Sequence, residues 1–265
     1  MENNIVLSLV IPVYNEEKNL PTTLPKLAKW LADGRGSREV VLYDDGSRDG
    51  SAELIRSCAE HHPGMRLISS EQNRGKGASV RAGMLAARGK YRVFTDCDLA
   101  YGLDAVRRIE EKLKNSGAGA VIGSRALHPS GYQGYSVFRR VMSRAYVDLL
   151  KIAAGLNHTD SQCGIKGFTA SSAERIFSLC QTDRFAFDLE VLTVAKKLRI
   201  RVRELPVNII RHDQNQSKVR IVHDTVRMLK DVYRIRALHK ELTPDTENAC
   251  RADLNSVRLN ADIGS

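Results

Sequence analysis

Short apolar runs alternate along this chain with stretches in which apolar residues recur every three or four positions, a pattern that predicts strands and helices in turn. Leu7-Ser8-Leu9-Val10-Ile11-Pro12-Val13 is an apolar run closed near its end by proline and reads as a buried first strand. Leu20, Leu24, Leu27 and Leu31 then share one face of a helix expected over 17–32, which Gly34 and Gly36 terminate. A second strand is expected from Glu39 to Leu42, and turn and helix-capping residues at 47–50 lead into a helix ending near His61. Arg66 to Ser69 makes a third strand, and Asn73-Arg74-Gly75-Lys76-Gly77 opens a helix running through Ala87. The next run, Tyr91 to Leu99, is a strand that carries Asp96 and Asp98; a helix from Leu103 to Lys114 and a strand from Gly119 to Gly123 follow. Strands separated by helices imply right-handed crossovers and a mostly parallel sheet.

Beyond residue 125 this rhythm breaks. A loop rich in Gly and Tyr at 131–135 leads to a long helical pattern over 137–153 that crowds Arg139, Arg140 and Arg144 together. A short strand or turn is expected at 162–168, a helix near 171–179, a second helix entered through 184–190 and running to Leu198, and a strand from Val202 to Ile209. Val222, Val226, Leu229 and Tyr233 form an apolar stripe on a basic helix over 218–238, and packing of that stripe on the protein is favoured over membrane contact. The polar stretch after Lys240 reads as a poorly ordered tail. The expected organisation is one domain over 1–240, with halves at 1–125 and 126–240, followed by a tail over 241–265.

Composition narrows the chemistry. The 265 residues, 42% of them hydrophobic, suffice for a core, and a formal charge of +10 favours anionic partners such as phosphates or an acidic membrane surface. Nucleic acid is disfavoured, because no zinc-finger spacing, aromatic ribonucleoprotein motif or repeat accompanies the charge. Five scattered cysteines without paired spacing predict free thiols and no structural zinc. No run reaches the length of a bilayer span, and the N-terminus is acidic where a secretory leader would be basic, so the expected location is cytoplasmic, possible contact being at the cytoplasmic face of a membrane.

Candidate chemistry gathers where strands stop, the place where open parallel sheets bind ligands. Asp96 and Asp98, one residue apart, are hard oxygen ligands suited to Mg2+ or Mn2+ carrying a substrate diphosphate. An Asp-x-Asp is by itself also an ordinary turn, so its neighbours carry the assignment. Gly75-Lys76-Gly77 at a helix start offers backbone amides and a cation to a phosphate.

Taken together and in order, Pro12-Val13-Tyr14-Asn15-Glu16, Asp44-Asp45-Gly46-Ser47 and Asp96-Cys97-Asp98 resemble the family 2 inverting glycosyltransferases of the GT-A fold. Later motifs, Gly123-Ser124-Arg125, Gln162-Cys163-Gly164, Phe187-Asp188-Leu189-Glu190 and Ser217-Lys218, are most similar to the polyprenyl-phosphate branch, dolichyl-phosphate glucosyltransferases and mannosyltransferases among them. The resemblance implies a Rossmann-like, mostly parallel sheet with an acceptor-side helical region, a nucleoside-diphosphate-sugar donor and a divalent metal. It places Pro12, Tyr14, Glu16 and Asp45 around the nucleoside, Asp45 accepting from the base, Lys76 at phosphate, Asp96 at ribose or metal, and Asp98 as the main metal ligand. The implied reaction moves one hexose, UDP-glucose being the favoured donor, to a polyprenyl phosphate. Such an acceptor is already ionised and needs positioning, by Arg125, Arg139 and Lys218, more than a base. Were the acceptor a hydroxyl of a saccharide or small molecule, Asp188 or Glu190 would be the natural base. A non-catalytic nucleotide-sugar-binding module is a further alternative, against which the intact Asp45, Asp96 and Asp98 argue. A nucleotidyltransferase is disfavoured because no glycine-rich N-terminal pyrophosphorylase loop is found. Two departures stand out: Ala100 replaces a polar residue common two positions after the second acid, and the Gln-x-x-Arg-Trp motif of processive synthases is absent, Trp30 being the sole tryptophan.

Overall fold

The structure, a computed structural model, describes residues 5–33, 37–131, 155–184, 186–210 and 221–251. The expected helix over 137–153 with Arg139, and the Ser217-Lys218 motif, lie outside them.

Seven strands form one sheet: β1 (Leu7–Val13), β2 (Arg38–Asp44), β3 (Met65–Ser69), β4 (Tyr91–Phe94), β5 (Ala120–Ser124), β6 (Lys166–Thr169) and β7 (Val202–Pro206). Their spatial order is β3-β2-β1-β4-β6-β5-β7. Pairings are parallel except around β6, which runs antiparallel to both β4 and β5. The sequence pattern, which leaves residues 162–168 as a short strand or turn, does not reveal that β6 is wedged between two strands that precede it.

Among the described residues seven helices accompany the sheet: α1 (Leu20–Ala32), α2 (Ser51–Glu60), α3 (Lys76–Ala86), α4 (Gly102–Ser116), α5 (Ala170–Phe177), α6 (Phe187–Lys197) and α7 (Ile221–Leu238). Alternation along buried strands divides the core in two. Leu7, Leu9, Ile11, Val40, Leu42 and Val93 meet α1, α2 and α4, whereas Val10, Val41 and Phe94 meet α3, α5 and α6. Gly83 permits the close approach of α3, since a Cβ there would stand 2.4 Å from Val10 Cγ1.

Several expectations are corrected. The first helix starts at Leu20, later than expected at 17, with Pro21 in its first turn, where a missing N–H costs nothing. Strand β4 stops at Phe94, so Asp96 and Asp98 sit in a turn beyond it rather than alternating along a strand. Among the side chains of α7 that are described, from residue 230 onward, Val232 and Ile235 are buried and join Leu189 and Leu192 of α6, whereas Tyr233, expected in the apolar stripe, is 78% exposed; Val222, Val226 and Leu229 of that stripe lie outside the described side chains. The segment after Lys240, expected to be poorly ordered, docks as far as 251: Leu242 is buried, and Glu247 accepts two-pronged donation from Arg175 at 2.7 and 2.8 Å as well as an ion pair with Arg251. Short polar composition concealed one well-placed leucine and one carboxylate that complete the surface of α5.

Candidate active site

Three loops meet beyond the C-terminal ends of β1, β2 and β4. The β1 loop turns through Asn15, whose φ of 54° is tolerated because Asn readily adopts left-handed backbone. Its amide donates to Ser47 Oγ at 2.9 Å and its side-chain oxygen accepts from the Arg48 amide at 2.8 Å. Glu16 is held alongside, its amide donating to Ser51 Oγ at 2.8 Å and its carboxylate accepting from Asn19 Nδ2 at 2.6 Å. The β1 and β2 loops are therefore a single hydrogen-bonded unit.

Asp45, buried at the end of β2, accepts from the amides of Arg74 at 3.1 Å and Gly75 at 2.7 Å. It thus holds the segment that starts α3 through two backbone donors while still lining the cavity. At that start Gly75 adopts φ 110°, a region open to glycine. Gly77 has no room for a side chain: a Cβ would lie 2.4 Å from the Thr182 carbonyl oxygen and 2.6 Å from Phe187 Cβ. Gly77→Ala is accordingly expected to destabilise the protein by about 1–3 kcal/mol through overpacking, measurable as a lower urea midpoint. An unchanged midpoint would show that the 182–187 segment yields freely.

The β4 turn carries Asp96, Cys97 and Asp98. It closes through Leu99 at φ 52°, whose amide donates to the Asp96 carbonyl at 3.1 Å, and Thr23 Oγ1 of α1 donates to the Cys97 carbonyl at 2.8 Å. Asp98 Oδ1 accepts from the Ala100 amide at 3.0 Å. Lys76 Nζ pairs with Asp96 Oδ1. Burial alone works against the Lys76 charge, but Asp96, Asp188 and Asp98 outweigh it and raise its pKa. Cys97 is buried, and burial first, then Glu16 and the two flanking aspartates, raises its pKa strongly, so it packs as a neutral thiol.

Pro12, Tyr14, Glu16, Asp45, Lys76, Asp96 and Asp98 all line one cavity of about 470 Å³. Its remaining polar lining, Asn19, Asn73, Ser79 and Arg184, was not singled out in the sequence. Asn73 and Ser79 flank the glycine-rich helix start and could have been found from it; nothing in the local sequence distinguishes Arg184 from its many basic companions. A larger cavity of about 1000 Å³ lies between α6 and α7, lined by Lys196, Lys197, Arg199 and Arg236 and, among the described residues, by no carboxylate. The motif chemistry resides in the smaller one.

Other expected site residues are elsewhere. Arg125 directs Nε and Nη2 to Asp160 at 2.7 and 2.9 Å, and Asp160 is fully buried. Asp188 pairs with Lys166, whose ammonium is fully buried, donates to the Cys163 carbonyl at 2.7 Å and lies 5.6 Å from the Phe94 ring centroid. Burial raises the Asp188 pKa against the opposing pull of Lys166 and Lys76. Glu190 is also fully buried, accepting from the amides of Gln181 and Thr182 at 2.9 and 2.7 Å and facing His239 Nε2 at 2.9 Å. Both carboxylates offered as a base for a hydroxyl acceptor are thus committed to internal partners. Lys166, Asp160 and His239 are the partners that sequence reasoning missed.

Among the described residues no group of three or more His, Cys, Asp and Glu side chains is gathered for a metal. A pair suits a different kind of site, because Mg2+ is commonly held by one or two carboxylates with substrate phosphates and water completing its shell. Asp96 and Asp98, which both line the cavity, fit that chemistry.

Comparison with known proteins identifies the architecture and the family. Solved structures of similar architecture include glucosyl-3-phosphoglycerate synthase from Mycobacterium tuberculosis in complex with Mn2+, UDP and glucosyl-3-phosphoglycerate, at TM-score 0.61 and 18% identity over 90% of this chain and 80% of that one. Mannosyl-3-phosphoglycerate synthase from Rubrobacter xylanophilus gives TM-score 0.60 and 18% identity over 89% and 75%. The architecture is that of the GT-A glycosyltransferases. A model of glycosyl transferase family 2 matches residues 8–177, and the chain belongs to that family. Its relatives include dolichyl-phosphate beta-glucosyltransferases of Dictyostelium discoideum, 35% identical over 88% of this chain and 75% of that protein, and of Saccharomyces cerevisiae, 34% identical over 89% and 75%.

Proposed function

We propose that this family 2 glycosyltransferase moves glucose from UDP-glucose to a dolichyl-type polyprenyl phosphate, with inversion at the anomeric carbon. The observation that carries the donor half is the convergence of Pro12, Tyr14, Glu16, Asp45, Lys76, Asp96 and Asp98 on one cavity. The acceptor half is supported by the names of the relatives and by the state of Asp188 and Glu190. Both are buried and paired, which suits an acceptor that arrives already ionised better than one that must lose a proton.

In this reading Pro12, Tyr14 and Glu16 frame the nucleoside. Asp45 acts by shaping the Gly75-Lys76 turn, and any contact with the base would be additional. The Lys76 ammonium, kept charged by the surrounding carboxylates, faces the diphosphate. Asp96 and Asp98 would hold Mg2+ or Mn2+, which when bound supplies positive charge to the departing diphosphate. Inversion follows from direct attack by the phosphate oxygen on the face opposite the leaving group. Arg139 and Lys218 are proposed to clasp the acceptor phosphate as charge-assisted donors; Arg125 contributes by organising the β5 end with Asp160. Among the described residues no helix is long and apolar enough to cross a membrane. The proposed route to a lipid acceptor is contact of the basic surface with an anionic membrane.

A transfer assay with UDP-glucose and GDP-mannose, each offered a short soluble prenyl phosphate, a long one in vesicles, or 3-phosphoglycerate, tests the reading. UDP-glucose with prenyl phosphate is expected to be the productive pair. Transfer only to 3-phosphoglycerate would replace the lipid acceptor with a small hydroxyl compound.

Replacing Asp45 by Ala is expected to release the Arg74 and Gly75 amides and weaken UDP binding by about tenfold. Acceptor KM should change little. Calorimetry with UDP and Mn2+ checks this, and unchanged UDP affinity would remove Asp45 from the donor site.

A further inference from the structure

The donor cavity is built mainly from the first half of the chain, yet Arg184, from the second half, lines it. The segment carrying Arg184 lies tightly over the start of α3. The Asp183 carbonyl accepts from the Ala78 amide at 3.2 Å, its carboxylate meets Arg81 Nη2 at 2.5 Å, and the missing side chains of Gly75 and Gly77 make room for the carbonyls of Asp183 and Thr182. From behind, the same segment is held by Glu190, whose Oε2 accepts from the Gln181 and Thr182 amides while Oε1 faces His239 Nε2. Glu190 is fully buried and His239 is 4% exposed. A buried carboxylate that satisfies two amides and one imidazole holds all three in register, because leaving any of them unpaired is costly.

We propose that Glu190 and His239 are positioning residues for donor binding: they clamp residues 181–184 against the start of α3, and so set Arg184 and Lys76 at the donor diphosphate. This rests on the reading of the smaller cavity as the donor site. The clamp couples the segment just past α7 to a pocket whose principal motifs all lie within the first hundred residues. It also gives the Phe187-Asp188-Leu189-Glu190 motif a role distinct from proton abstraction.

The test uses the full chain with UDP and Mn2+ in a calorimeter, beside amide hydrogen exchange without nucleotide. His239→Leu removes the partner of Glu190, whereas His239→Gln keeps a donor within reach. Glu247→Gln, which loosens the Arg175 ion pair of the same C-terminal segment, controls for general destabilisation. His239→Leu is expected to weaken UDP about tenfold, by analogy with lost outer-shell partners, and to speed exchange at 181–184 and 75–79. His239→Gln and Glu247→Gln should remain within about twofold of wild type on the same scale. Should Leu prevent folding, Asn, too short to reach Glu190, takes its place. Wild-type affinity in the Leu or Asn variant, or equal weakening in Glu247→Gln, would overturn the clamp. Failure of UDP to bind wild type would overturn the donor reading, and exchange at 181–184 would then decide the clamp: unchanged protection sinks it and faster exchange sustains it.

Discussion

Asp98→Asn is expected to lower sugar transfer by on the order of 100-fold or more while leaving the melting temperature within a degree or two. The two outcomes separate because the carboxylate has two different tasks. Its Oδ1 accepts from the Ala100 amide at 3.0 Å, and an asparagine oxygen can do the same, so the turn that follows β4 keeps its shape. What Asn removes is the negative charge, on which affinity for a hard divalent cation depends. Turnover followed across Mn2+ and Mg2+ titrations, next to a melting curve, measures both. Near-normal turnover would remove Asp98 from the metal site, and a large drop in melting temperature would make it a structural residue. The same substitution at Asp96 is less clean, because Asp96 also pairs with Lys76 and lies so close to Gly164 that a Cβ there would stand 2.3 Å from Asp96 Oδ2.

The second large effect is on stability. Lys166 is fully buried on β6, paired with Asp188 on α6 and bonded to the Cys163 carbonyl. Lys166→Met is expected to cost about 3–5 kcal/mol, since it strands a carboxylate in the interior. The positive charge of Lys76 favours the lower end of that range, because it also acts on Asp188. Adding Asp188→Leu should recover most of the loss, as removing both partners of a buried pair is far less damaging than removing one. Urea denaturation of the two single variants and the double variant measures the coupling. Additive losses would show that the pair contributes nothing beyond its separate packing.

These two predictions differ in how they could have been reached. Asp98 is legible in the sequence because its setting is local: an apolar strand, two acids one apart, and a turn are contiguous. The same holds for Leu20, Leu24 and Leu27, whose helical spacing identifies the buried face of α1, and for Gly75 and Gly77 as the mark of a helix start, whereas the packing of Thr182 and Asp183 against those glycines has no local sign. Lys166 is different. Its partner lies 22 residues away on another element, and β6 reaches Asp188 only because it is inserted, reversed, between β4 and β5. Tyr233 illustrates a second limit. Apolar spacing places Tyr233 on the buried stripe of a long basic helix, whereas among the described side chains it is Val232 and Ile235 that pack against α6.

By itself, then, the sequence determined the α/β alternation and the positions of most strands and helices to within a few residues, because periodicity and turn chemistry are properties of nearby positions; the resemblance of three ordered motifs to a known family added to Lys76, Asp96 and Asp98 the other four of the seven residues that share one cavity. Only the tertiary structure decided where β6 runs, that α7 buries Val232 and Ile235 among its described side chains, that Arg125 pairs with Asp160, that Asp188 and Glu190 are bound internally, and that Arg184 lines the smaller cavity. Each of those outcomes depends on which distant group fills a buried donor or acceptor, and that pairing exists only once the sheet has brought both elements together.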